Sequence, residues 1–229
     1  MPDSGPTVDA PADAAAVARR YQRLERPLSG VVSLLAVGVV AAALFFFPLF
    51  VGLLIAVAIV ALLRIPFFQS SGTAHLASSA ATETVVDEFE SETPPPLAFQ
   101  WGIADSIHSE TDGAVYELSY LFGLRSVTVE TEVQSRESPE SEPAKSEPAD
   151  SEPATELTLA VTAGGQPWAT YSFSIREGDA ETHVDVEWES DRRFELRQLP
   201  QWFVTERYRD DVLSAQGYRV LERDASLSL

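Results

Sequence analysis

Past Ser70 the dominant period along the chain is two. Val127, Val129, Thr131 and Val133 take turns with Thr128, Glu130 and Glu132, and Leu157, Leu159, Val161 and Ala163 with Thr158, Ala160 and Thr162. Tyr171, Phe173 and Ile175 then alternate with Ser172 and Ser174, and Val184, Val186 and Trp188 with Asp185, Glu187 and Glu189. A period of two predicts antiparallel strands with one buried and one wet face. Earlier strands are expected over 97–107 and 114–121, with turns at Thr111-Asp112-Gly113, Gly164-Gly165 and Glu177-Gly178-Asp179.

The period changes in two places. Val85, Val86 and Phe89 fall on one side of a helix over 81–91, which Pro94-Pro95-Pro96 closes off. Phe203, Val204, Tyr208, Val212 and Ala215 line a second helix, 200–216, with Pro200 suited to its first turn and Gly217 to its end. A short strand near 73–79 and a last one over 218–228 complete an α+β domain spanning 70–229.

A third pattern has no polar phase. Gly30 to Leu63 carries no charge, and Pro48 sits near its middle among Phe45, Phe46, Phe47 and Phe50. A proline inside a helix costs about 3 kcal/mol, so the stretch is predicted to fold as a two-helix transmembrane hairpin, about 30–47 and 48–63, within 28–68. The apolar turn FFFPLF also allows a re-entrant hairpin, and a single tilted span is the other alternative. Arg19, Arg20, Arg23 and Arg26 precede the stretch and Arg64 closes it. By the positive-inside rule this predicts a cell-membrane protein with two spans, both termini cytoplasmic and the bilayer as a partner. Residues 1–27 read as a disordered, basic cytoplasmic tail, Pro/Ala/Asp-rich over 1–18. Within 137–155, SEPAK-SEPAD-SEPAT reads as an extended solvated loop, since a proline in every unit forbids a helix interior.

Charge narrows the classes. The chain has 35 acidic and 16 basic residues, and from Ser70 onward 31 acidic face 11 basic, a net of −20. Such a surface repels nucleic acid, which is not expected as a partner. There is no cysteine, so disulfides and thiolate chemistry are out. Fifteen arginines against one lysine, Lys145, and many carboxylates make the composition similar to that of proteins from salt-loving archaea. Multi-molar salt cuts the Debye length to roughly 3 Å, so carboxylates can crowd a surface with little repulsion.

The order of strand, helix, antiparallel strands and long final helix, carried by TAHLASSAATETVVDEFES and QLPQWFVTERYRDDVLSAQGY, resembles the helix-grip fold of START-related, polyketide-cyclase-like (SRPBCC) proteins. The resemblance covers Gly72 to Gly217, and the strand YRVLERDASLSL lies outside it. It implies a sheet wrapped around the last helix with an apolar ligand cavity between them, and it implies no catalytic residue.

Local chemistry adds little. His75, His108 and His183 are not paired at metal-ligand spacing, no GxSxG or phosphate-loop motif is present, and no metal or cofactor is expected. Acidic pairs such as Asp210-Asp211 and Glu187/Glu189 read as solvated surface, and Arg192, Arg193, Arg197, Arg207 and Arg209 as partners of Asp191, Glu195, Glu206 and Asp210. Trp188, Trp202, Phe203 and Tyr208 are the candidate ligand-binding residues. The sequence thus predicts a membrane-anchored, non-catalytic domain for an apolar small molecule or lipid in a high-salt cytoplasm. The alternative is a membrane-tethered assembly module that recruits protein partners.

Overall fold

The computed structural model describes residues 6–120, 125–137 and 154–228. Nine strands in this region form one sheet: β1 (Pro66–Ser78), β2 (Ser106–Glu110), β3 (Gly113–Tyr120), β4 (Arg125–Glu137), β5 (Ala154–Ala163), β6 (Gln166–Glu177), β7 (Thr182–Ser190), β8 (Phe194–Glu195) and β9 (Tyr218–Ser228). The order is β2-β3-β4-β5-β6-β7-β1-β8, with β9 paired to the other side of β1, and every pairing is antiparallel. The alternation read from the sequence sets the faces: Leu157, Leu159, Val161, Phe173, Ile175, Val184 and Val186 are buried on the inner side. The SEPA-repeat loop lies outside the described residues.

Five helices sit with this sheet: α1 (Ala12–Phe46), α2 (Leu49–Arg64), α3 (Thr82–Glu90), α4 (Ala98–Trp101) and α5 (Leu199–Ser214). Val85 and Phe89 of α3 point into the core, where the Phe89 ring meets Phe173 at 4.8 Å and Tyr218 at 5.7 Å. A capping box holds the 3-10 turn Leu196–Gln198 that leads into α5, with the Glu195 N–H donating to Gln198 Oε1 at 3.0 Å. Gly217, at φ 88°, turns the chain from α5 into β9. The α+β class and the helix-grip-like order therefore stand.

Three expectations are corrected. Residues 97–107 are no strand over most of their length: a 3-10 turn at Pro95–Leu97 leads into α4, and β2 starts only at Ser106. Pro95, Pro96, Leu97, Ala98, Phe99 and Trp101 are all buried with only Gln100 between them, so no period could reveal the type of this run. The Trp101 indole N–H donates to the Pro94 carbonyl at 2.9 Å and fixes the turn.

At the N-terminus, the stretch read as a tail is structured from Pro6. The Val8 N–H donates to the Ile107 carbonyl at 3.0 Å and the Ser109 N–H to that of Pro6 at 3.2 Å, which covers the β2 edge. The helix α1 then begins at Ala12 and buries Ala14, Ala18 and Tyr21 against α4 and α5. Gly102 makes this approach possible, since a Cβ there would lie 2.7 Å from that of Ala18.

The third correction concerns the membrane. Pro48 does break the apolar stretch, and α2 folds back along α1. Among the described residues, however, no helix is long and apolar enough to cross a membrane. The 16 residues of α2 rise about 24 Å, short of a hydrocarbon core of about 30 Å. α1 is longer, but its first half carries the charges and docks on the domain. The two-span cell-membrane placement with cytoplasmic termini is overturned.

Candidate functional site

The four aromatic candidates divide between core and surface. Trp188 is on the inner face of β7 and only 7% exposed. Its ring comes close to β1 because residue 72 is glycine: a Cβ there would stand 2.4 Å from the indole and 2.3 Å from the Asp224 carbonyl. Above it the Arg209 guanidinium of α5 stacks at 5.4 Å from the ring centroid. Tyr208 is half-buried and packs against the core. Trp202 and Phe203 pair edge-to-face at 5.0 Å near the start of α5, where the Trp202 indole donates to Ser70 Oγ at 3.3 Å. Phe203 is 61% exposed; of the large apolar side chains described between Pro66 and Ser228, only it and Leu221 are exposed. Close by in the chain fold, Phe68 of β1 faces Phe194 of β8 at 5.9 Å. The structure thus brings Trp202 and Phe203 together as an aromatic ledge and puts Trp188 beneath an arginine.

That arginine belongs to a network between α5 and the sheet, whose link to Arg223 of β9 no local signal in the sequence announces. The Glu206 carboxylate forms ion pairs with Arg223 of β9 at 2.8 Å and Arg209 at 3.4 Å, while Arg223 also reaches Asp210 at 3.4 Å and donates through Nη2 to the Glu206 carbonyl at 3.1 Å. Glu206, Arg209 and Arg223 are each less than a fifth exposed, so every charge here depends on its partners. Beside them Tyr171 is buried, which pushes its hydroxyl above the usual tyrosine value, with nearby Arg209 pulling it partly back. Of the arginines grouped in the sequence, Arg209 pairs with Glu206 as expected, and Arg192 instead donates to Gln166.

The outward face of the sheet carries a groove of about 410 Å³. One wall is the cross-strand row Glu156, Ser174, Asp185 and His75, the other Thr158, Ser172, Glu187 and Thr73. His75 Nδ1 and the Arg176 guanidinium both hold Asp185. His75 lies 110 residues from Asp185 in sequence, so only the register of β1 on β7 could reveal this pair. Ser174 and His75 flank Asp185 from opposite sides, two strands or roughly 10 Å apart. No Ser–His–Asp relay can form in that order. Among the described residues no group of three or more His, Asp or Glu could hold a metal ion. A second cleft of about 240 Å³ lies between the start of α1 and the end of α5, and none of the four aromatic candidates lines either hollow.

No protein-family model and no curated protein matches the chain. Among solved structures it is similar to a protein from Rhizobium loti, at 14% identity, over 65% of this chain and 95% of that one, with a TM-score of 0.39. It is also similar to a START superfamily protein from Mycobacterium smegmatis, at 12% identity over 66% and 97%, with a TM-score of 0.37. A conserved protein from Geobacillus kaustophilus follows at 10% identity over 66% and 99%, with a TM-score of 0.34. At these scores the fold reading rests on the strand and helix order of this chain.

Proposed function

We propose that the domain is a non-catalytic binding module for an apolar small molecule or a single lipid, held against the Trp202–Phe203 ledge at the start of α5. The observation that carries this is the exposure of Phe203, 61% against a body whose other aromatic side chains are mostly buried. A large apolar ring left in water beside a second aromatic marks a place where an apolar partner gains by displacing solvent. The inner face supports a surface site better than a deep cavity, because Trp188, Arg209, Glu206 and Arg223 fill the space beneath α5. The working solvent in this reading is multi-molar salt, on the strength of the −20 balance from Ser70 onward.

The test is a fluorescence titration of the full chain in 3 M KCl, roughly the salt regime in which its carboxylates are screened, with palmitate as the apolar probe. Binding should shift tryptophan emission, and Phe203→Ala should weaken it about tenfold, the equivalent of about 1.4 kcal/mol. Equal affinity in a folded Phe203→Ala chain would remove the ledge as the site.

A further inference from the structure

We propose that the α1–α2 hairpin is a self-assembly element, through which copies of this chain pack hairpin against hairpin with their acidic domains outside. This goes beyond the ligand reading and does not depend on it. Of the twenty large apolar side chains exposed among the described residues, eighteen lie between Val31 and Ile65. The hairpin is packed the reverse way from a helix pair complete in itself. Its small residues turn inward: Ala43, Gly52 and Ala56 are buried, and a Cβ on Gly52 would lie 2.8 Å from the Ala43 carbonyl. Leucine, valine and phenylalanine turn outward.

At about 100° per residue, the exposed Leu49, Phe50, Val51, Leu53, Leu54, Val57, Val60 and Leu62 spread over an arc of about 220° away from the seam of Gly52 and Ala56. One flat partner would cover only part of them, whereas neighbouring hairpins cover one another. A stable interface takes roughly 800 Å² from each side, which these eighteen side chains exceed at on the order of 80 Å² each. The tip is as apolar as the arms, with Phe45, Phe46, Leu49 and Phe50 all more than three-quarters exposed.

Charge leaves room for a second copy at the hairpin alone. Between Arg26 and Arg64 there is no charged residue, so hairpins can pack closely without burying an ion. The domains, at −20 each from Ser70 onward, repel one another and keep association confined to the hairpins. Salt shortens the range of that repulsion, so assembly should strengthen as salt rises.

Sedimentation equilibrium of the full, detergent-free chain tests this in roughly 0.3 M and 3 M KCl, a range over which the Debye length falls to a few Å. The comparison is a variant carrying Leu34→Glu, Phe50→Glu and Leu54→Glu, with near-ultraviolet circular dichroism to confirm that its domain is folded. The expected result is an oligomer that tightens at least tenfold in high salt and a variant that sediments as a monomer with the domain spectrum unchanged. A monomeric parent chain would overturn the proposal, as would an oligomer that the three glutamates leave intact. A parent chain that floats as a monomer with phosphatidylglycerol vesicles would overturn it too, in favour of a lipid surface as the occupant.

Discussion

Gly72 and Trp188 show how one position can set a neighbour's geometry. The indole approaches β1 so closely only because residue 72 has no Cβ, and both the ring and the Asp224 carbonyl would stand within 2.4 Å of one. A backbone carbonyl cannot move aside without breaking the β1–β9 ladder, so Gly72→Ala should cost about 1–3 kcal/mol. Thermal unfolding followed at the tryptophan signal checks it, and an unchanged midpoint would mean the strands part more easily than they look. Tyrosines make a second prediction at this scale. Burial holds Tyr116, Tyr171 and Tyr218 above their ordinary value of 10.0, and for Tyr218 the hydrogen bond to Glu88 adds to it. A raised pKa means the folded state holds the proton more tightly, so this contribution is intact below pH 10 and is lost as pH climbs beyond it. Absorbance at about 295 nm should therefore show these tyrosines ionising only with unfolding, and Tyr218→Phe should flatten the alkaline loss of stability.

Among elements, α1 does two jobs along one continuous helix. Its first half is an integral part of the α+β domain, through Ala14, Ala18 and the Tyr21 ring at 4.9 Å from Phe99, while its second half is one arm of the exposed hairpin. Enlarging Ala18 to leucine should thus destabilise the domain by about 1–3 kcal/mol, because Gly102 already stands against it. Ala41→Leu, on the exposed arm of the same helix, should leave domain unfolding unchanged. Chemical denaturation of both variants, read by the emission of the domain's four tryptophans, separates the halves. The strands β3 to β7 were legible because each buries one face, which a period of two records directly. The first half of α1 was not, since alanine, aspartate and arginine compose a solvated tail and a docked helix equally well; the docking surface on α4 and α5 decides between them. Trp202 and Phe203 were legible as an aromatic pair, but only the fold separates exposed Phe203 from buried Trp188.

For the whole molecule, charge governs how stability responds to the solvent. From Ser70 onward 31 acidic residues face 11 basic ones, and the ion pairs found among the described residues engage only a few of them. Unpaired carboxylates crowd the sheet's outward face, as along the groove walls of Glu156 and Glu187. Their mutual repulsion is screened at multi-molar salt and restored below it. Dialysis from roughly 3 M to 0.1 M KCl should then lower the thermal midpoint by at least about 10 °C, measured by circular dichroism. A midpoint unmoved by salt would mean that the acidic surface is neutral in its effect on stability.

Alternation, proline placement and charge balance are properties of neighbours along the chain, and by themselves they determined the strands β3 to β7, the break at Pro48, the α+β class and the acidic surface. Which polar groups meet is decided by register and packing between residues more than a hundred positions apart, as for His75 with Asp185 and Tyr218 with Glu88. The same holds for what each apolar surface faces. Hydrophobicity alone does not say what the hairpin or the core will face; the sheet buries one, and the inward turn of Ala43, Gly52 and Ala56 leaves the larger side chains of the other outside.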